Sequence, residues 1–290
     1  MDQTLLKDIS YAPSARSRPA QAFIRTVENV TGRRHLLLRA HASITAPDYG
    51  DRFWPAMMRA FGLRLEVTRG SLDYIPDTGP LVVIANHPFG ILDGLVMGYL
   101  LDGLRRDFRI MAHSAFQAAP EVARHILPID FAGTREAEKN NLKTRADAVA
   151  YLRSGGAIGI FPGGTVSTAQ HPFMRPADPQ WRMFCARMIQ RSGATVVPIW
   201  FDGTNSRLFQ LASRLNYTLR MALLIREFRA RVNRPVRMAI APPISAAMLS
   251  RFDGQPKEMM DFLRAATYGM AEAPVDPMQL GHEFEGAYRH

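Results

Sequence analysis

The stretch Leu81-Val82-Val83-Ile84-Ala85-Asn86-His87-Pro88-Phe89-Gly90-Ile91-Leu92-Asp93-Gly94 runs an apolar strand straight into a loop carrying a histidine and a carboxylate. An unbroken apolar run of strand length suits a strand covered on both faces. The design recurs further on, where Ala157-Ile158-Gly159-Ile160 leads into Phe161-Pro162-Gly163-Gly164-Thr165. Two strand ends then offer complementary chemistry: a base with its orienting acid, and a glycine pair that forms either a tight turn alone or amides facing an oxyanion.

Working outward, Pro76 to Pro80 marks a turn before the first strand, and a helix is expected across about Leu92 to Leu104. Further strands are expected at Phe108 to Ala112, Ile126 to Asp130, Ala157 to Phe161, Thr195 to Phe201 and Val236 to Ile240. Helices are expected over Ala137 to Leu152, with Leu142, Ala146, Val149 and Leu152 on one side, over Gln180 to Arg191, and near Lys257 to Met270. Strands separated by such helices imply an α/β fold, a mixed, largely parallel sheet flanked by helices. Residues 1–50 read as a loosely ordered leader and an N-terminal amphipathic helical segment, 51–270 as the main domain, and 271–290 as a peripheral tail.

Phe53, Trp54, Met57, Met58 and Phe61 recur at helical spacing. That soft face packs on the core or lies in a membrane interface, and the sequence leaves both open. From Leu211 to Arg237, a stripe of Leu211, Leu215, Leu219 and Ala222 accompanies seven arginines, Arg214, Arg220, Arg226, Arg229, Arg231, Arg234 and Arg237. This is a solvated basic face or a docking surface for anionic lipid or an acidic carrier.

With 290 residues and 47% hydrophobic side chains, the chain can bury one large core. No uncharged apolar run of membrane-spanning length occurs, and Asp2, Lys7 and Asp8 interrupt the start, so neither export nor a membrane span is expected. A single cysteine, Cys185, excludes an intramolecular disulfide and reads as a buried structural thiol. The net charge of +10 calls for an anionic partner: nucleic acid, a membrane face or an acidic carrier protein. Nucleic acid is disfavoured because the arginines are not interleaved with aromatics. His35, His41, His113, His125, His171, His282 and His290 form no metal-ligand pattern, so no metal is expected.

In one helix, six residues would set His87 and Asp93 about 240° apart, so a turn at Pro88 and Gly90 must bring them together. Asp93 then sits in the first turn of the following helix. A neutral imidazole oriented by Asp93 can serve as general base toward a hydroxyl. No Gly-x-Ser-x-Gly elbow exists, which points to direct attack by the substrate.

Asn86-His87 with Asp93, and Phe161 to Thr165, resemble the paired signatures of the glycerolipid (lysophosphatidic-acid) acyltransferase superfamily. The resemblance covers roughly Phe53 to Ile244. It implies that His87 deprotonates an acceptor hydroxyl with Asp93 as partner, and that the hydroxyl attacks the thioester of acyl-CoA or acyl-carrier protein. Asn86, Phe161, Pro162, Gly163, Gly164 and Thr165 would then bind acceptor or oxyanion. Val196-Val197-Pro198-Ile199 resembles the fourth block of the family, and Ile129-Asp130-Phe131 through Arg135 falls where the acceptor-binding second block belongs.

Five residues rather than four separate His87 from Asp93, which resembles the branch of bacterial hemolysin-like and ornithine-lipid acyltransferases. In the third block, Gly163 and Val166 stand where the family has an acid and an arginine. Loss of that arginine weakens the case for a phosphomonoester acceptor. The expectation is therefore an O-acyltransferase acting on a monoacyl (lyso) lipid, an aminolipid such as lyso-ornithine lipid, with lysophosphatidic acid as the alternative acceptor. It needs no cofactor beyond the acyl thioester, and would work as a peripheral protein on the anionic cytoplasmic face of the inner membrane. An inactive lipid-surface binding protein is the reading of another class.

Overall fold

Leu81–Ala85 (β2) is buried along its whole length and forms the middle strand of a seven-stranded sheet of order β1-β7-β6-β2-β5-β3-β4. The structure is a computed structural model and describes residues 10–15, 17–46, 52–118, 120–130, 134–171 and 173–284. Residues 1–9, Arg16, Phe131 and the last six residues lie outside that set.

Three helices precede or flank the first strand: α1 (Arg18–Thr31), α2 (Arg33–Ile44) and α3 (Phe53–Ala60), then β1 (Arg64–Arg69). After β2 come α4 (Ile91–Leu104), β3 (Arg109–His113), α5 (Pro120–Ala123), β4 (Ile126–Ile129), α6 (Arg135–Arg153) and β5 (Ala157–Ile160). The remainder is α7 (Met183–Ser192), β6 (Thr195–Phe201), α8 (Arg207–Leu215), α9 (Tyr217–Arg229), β7 (Pro235–Ile240), α10 (Ala246–Leu249) and α11 (Pro256–Tyr268). β2 pairs in parallel with both β5 and β6, and β3 and β4 continue the parallel run. β7 is antiparallel to β6 and carries β1 parallel to itself. The sheet is thus mixed and largely parallel, as expected.

Alternation along β2 sorts its side chains between two cores. Leu81, Val83 and Ala85 join residues of α2, α3 and α4, among them Leu36, Trp54, Met57 and Val96. Val82 and Ile84 join residues of α6, α7 and α11, among them Leu152, Cys185, Ile189 and Leu263. A third cluster ties Ala12, Ala15 and Ile24 to Phe209, Met221, Leu224 and Val166.

Four expectations change. The soft face of α3 is core: Trp54, Met57, Met58 and Phe61 are all buried and cannot meet a bilayer. The leader is not loose from residue 10 on, because Ser10 Oγ and the Tyr11 amide both donate to buried Glu28, at 2.5 and 2.7 Å. Nor is the tail peripheral, since the Gly281 amide donates to the Asp178 carbonyl and Arg182 pairs with Glu283 at 2.9 Å. The stripes are rotated: α6 buries Ala137, Thr144, Ala148 and Leu152 while Leu142 faces water, and α8 buries Phe209 and Ala212 while Leu211 and Leu215 face out. β1 was not foreseen, because Arg64-Leu65-Glu66-Val67-Thr68-Arg69 is a half-exposed edge strand whose charges mask its pattern.

Gly98 of α4 is where α3 seats. A Cβ there would come within 2.2 Å of the Trp54 ring. Gly98→Ala should therefore cost about 1–3 kcal/mol by overpacking, seen as a lowered Tm; an unchanged Tm would show that the α3–α4 contact yields freely.

Candidate active site

The register Ile84↔Ile160 and Ala85↔Ile199 makes β2, β5 and β6 end side by side. Residues that follow these strands therefore share the carboxyl edge of the sheet, where open α/β sheets place ligands. Asn86 comes first, buried, and exchanges two hydrogen bonds with the Phe201 backbone, Nδ2 to O at 2.9 Å and N to Oδ1 at 2.7 Å. Both its polar groups are spent on a clamp between β2 and β6. The expected contact between Asn86 and substrate would have to use the second N–H of Nδ2 or the second lone pair of Oδ1.

His87 follows, its ring stacked on Phe161 with centroids 4.2 Å apart and planes at 22°. Its Nδ1 lies 3.0 Å from Asp93 Oδ2, and the same oxygen accepts the amides of Phe89 (2.8 Å) and Gly90 (3.1 Å). Gly90 precedes α4 with φ +81°, a conformation that disfavours any side chain, and a Cβ there would also sit 3.2 Å from Val166. With Gly90 as cap, Asp93 occupies the third helical position and reaches back to the cap amide, half of a capping box. The turn foreseen at Pro88 and Gly90 is therefore what unites the pair.

Asp93 is wholly buried and its Oδ1 meets no hydrogen-bond partner among the described residues. Burial raises its pKa, while His87 and the two amides oppose the rise. An acceptor-only carboxylate at Nδ1 fixes the proton on that nitrogen, leaving Nε2 with its lone pair. The His87 side chain keeps 17% of its surface exposed, so this nitrogen can be reached.

The second loop is placed beside the first. The Pro162 carbonyl accepts the Arg182 amide at 3.0 Å, and Gly163 backs onto Asp178 and Pro179. The Gly164 amide closes a turn on the Phe161 carbonyl at 2.9 Å, so it is not free to face an oxyanion as expected of it. Among the described residues the amides of Gly163 and Thr165 meet no acceptor. Arg135 is exposed at the first position of α6, behind β4 at the sheet edge. No hydrogen bond or ion pair joins it to His87 among the described residues.

Three residues central to the site escaped the sequence reading. Asp178 is buried, accepts the His87 amide at 3.1 Å on Oδ1 together with the Ser167 hydroxyl, and takes Trp181 Nε1 at 2.9 Å on Oδ2. Ser167 returns its own amide to the His87 carbonyl at 2.8 Å. Arg220, read as part of a basic face, is buried, with its guanidinium on Thr168 Oγ1, on Thr165 Oγ1 at 2.9 Å and on the Val166 carbonyl at 2.7 Å. Burial pushes it down to about 9, still a cation at neutral pH, with no carboxylate within ion-pair distance among the described residues. Arg231 lies 4.1 Å over the Phe89 ring and donates to the Thr204 carbonyl at 2.8 Å. The expected basic face is thus broken up: Arg226 pairs with Glu227 and Arg237 with Asp202 and Glu272.

Tyr11 also arrives here, its Oη 3.8 Å from the point a Gly90 Cβ would occupy. Among the described residues no group of His, Cys, Asp or Glu side chains could hold a metal ion.

Residues 66–202, which hold His87, Asp93 and the Phe161–Thr165 loop, match the family model Acyltransferase. The matched stretch, a little under half of the chain, is similar to acyltransferases. It is 25% identical over 161 residues to a lyso-glycine lipid O-acyltransferase of Phocaeicola vulgatus, covering 55% of this chain and 54% of that one. To a lyso-glycine lipid O-acyltransferase of Bacteroides thetaiotaomicron it is 27% identical over 163 residues, covering 55% and 56%. The chain spans about half the length of the curated relatives it matches. Among solved structures, the 1-acyl-sn-glycerophosphate (LPA) acyltransferase PlsC of Thermotoga maritima aligns over 88% of this chain and 98% of its own, with 12% identity and a TM-score of 0.47.

A raised carboxyl stabilises the fold while protonated, and that contribution is lost as pH climbs from the unfolded value of about 3.9 through the raised folded one. Asp93→Asn keeps an acceptor for the two amides and removes the buried charge. Its Tm should therefore gain on wild type as pH goes from about 4 to 8. A gap that stays constant or closes over that range would show that Asp93 is not held up by burial.

Proposed function

We propose that this chain is an O-acyltransferase that esterifies the free hydroxyl of a lyso membrane lipid from an acyl thioester. The observation that carries the reading is His87 Nδ1 fixed on Asp93 Oδ2 at 3.0 Å while Nε2 has no partner among the described residues. Nε2 takes the proton of the acceptor hydroxyl as its oxygen attacks the thioester carbonyl, and Asp93 stabilises the imidazolium. The tetrahedral oxyanion forms against the amides of Gly163 and Thr165. Its collapse breaks the C–S bond, and the imidazolium returns the proton to the departing thiolate. The stacked Phe161 ring and the Asp178–Ser167 bonds to the His87 backbone hold the base in place.

Two observations favour an aminolipid acceptor. The relatives at 25% and 27% identity bear the name lyso-glycine lipid O-acyltransferase. The arginine missing at Val166 is not replaced by Arg220, whose fork is spent on Thr165, Val166 and Thr168. Lyso-ornithine or lyso-glycine lipid therefore ranks above lysophosphatidic acid. The donor is acyl-carrier protein or acyl-CoA, and the protein works peripherally on the anionic, cytoplasmic face of the inner membrane; no helix among the described residues is long and apolar enough to cross one. An intact His87–Asp93 pair speaks against an inactive lipid-surface binding protein.

The test is transfer of labelled acyl groups from both donors to lyso-aminolipids and lysophosphatidic acid. Wild type should transfer, with a preference for a lyso-aminolipid, and His87→Ala should fall by at least about 10²-fold. No transfer to any acceptor, or an equally active His87→Ala, would overturn the mechanism, whereas preference for lysophosphatidic acid would overturn only the choice of acceptor.

A further inference from the structure

On α8, Leu208, Leu211 and Leu215 are 49%, 56% and 69% exposed. Their spacing puts all three on one stripe of the helix, since steps of three and four residues return to the same face. Phe209 and Ser213, four residues apart on the other flank, are buried, Phe209 in the cluster with Ile24 and Leu224. The helix thus buries one side, while among the described residues nothing covers the leucine stripe. Arg207, beside the outward stripe, makes no hydrogen bond or ion pair among the described residues, and Arg214 lies half-buried along the same helix. Tyr217, 47% exposed, follows at the start of α9.

The location connects this stripe to the site. α8 follows β6, whose end lies beside His87 at the same sheet edge. Gln210 of α8 accepts the Ala169 amide at 3.0 Å, and Ala169 lies two residues past Ser167, whose amide binds the His87 carbonyl. Thr168 and Ala177 pair across a short hairpin that carries Phe173 near its tip, fully exposed and at φ +73°, a strained setting for an aromatic residue.

We propose that the outward stripe of α8, with Phe173, is the surface that inserts into the bilayer and sets the mouth of the site at the lipid interface. This rests on the lyso-lipid reading above and gives it a docking face. The occupant is an anionic lipid surface rather than a protein: leucines on one face of a short helix, with arginines and a tyrosine at its margins, are the composition of an interfacial helix, and the net charge of +10 favours anionic headgroups. Membrane contact thereby moves from α3, whose face is core, to α8.

Sedimentation of the full chain with vesicles of phosphatidylcholine alone, or with about one third phosphatidylglycerol, tests this. Wild type should partition onto the mixed vesicles, and Leu208→Ser with Leu211→Ser and Leu215→Ser should weaken partition at least about 10-fold. All three side chains are exposed, so the variant's Tm should match wild type. His87→Ala should partition like wild type, which separates failure of docking from failure of the chemistry. Because Cys185 is wholly buried, a single Leu211→Cys can be labelled with a polarity-sensitive fluorophore, which should shift to the blue on mixed vesicles. Unchanged partition of the triple variant, or a fluorophore that stays in water while the protein sediments, would overturn the proposal. Loss of binding on Arg207→Glu with Arg214→Glu, but not on the leucine changes, would reduce the contact to surface charge and overturn insertion.

Discussion

One buried oxygen, Asp93 Oδ2, receives the His87 ring and the amides of Phe89 and Gly90. Each of these bonds constrains a different object: the tautomer of the imidazole, the path of the loop, and the first turn of α4. Charge-assisted bonds of this sort are roughly twice as strong as neutral ones, and they have to offset the cost of a carboxylate with no access to water. The loop cannot relax without stranding that charge, and the strand behind it cannot slip without moving the loop. β2 sits at the centre of the sheet with partners on both sides, so the register of β5 and β6 is referred to the same point.

Around this oxygen the structure builds a second tier from the backbone side. Asp178 holds the His87 amide, Ser167 closes the return path, and Asn86 fastens the strand end to Phe201. These groups work through the position of the imidazole. Arg220 does the equivalent for the neighbouring loop, as a cation buried against hydroxyls and a carbonyl rather than against an acid.

Much of this was legible in the sequence because it is local. An unbroken apolar run, a glycine that permits a reversal and a carboxylate at the start of a helix are all read within fourteen residues, Leu81 to Gly94. The sheet class followed from the alternation of strands and helices for the same reason. What stayed hidden depends on distant partners. Asp178 sits in Ala177-Asp178-Pro179, which reads as an ordinary turn, and its meaning comes from residues 91 positions away. Arg220 looked like one of seven arginines on a solvated or docking face, since nothing nearby reveals that Thr165 and Thr168 wait for it. The faces of α6 and α8 were misjudged because leucine periodicity shows that a helix has an apolar stripe and not which way that stripe points.

The Asp178 junction also has a consequence for how the chain is made. Its amide rests on Tyr268 Oη and its carbonyl takes Arg264 and Gly281. A chain emerging from the ribosome exposes His87 and Asp93 long before those residues exist, so the pair is present early while the frame that positions it is missing. The residues that lock the frame follow the pair by more than 170 positions. A chain cut short of Tyr268 therefore carries the His87–Asp93 pair without the groups that hold the Asp178 junction in place.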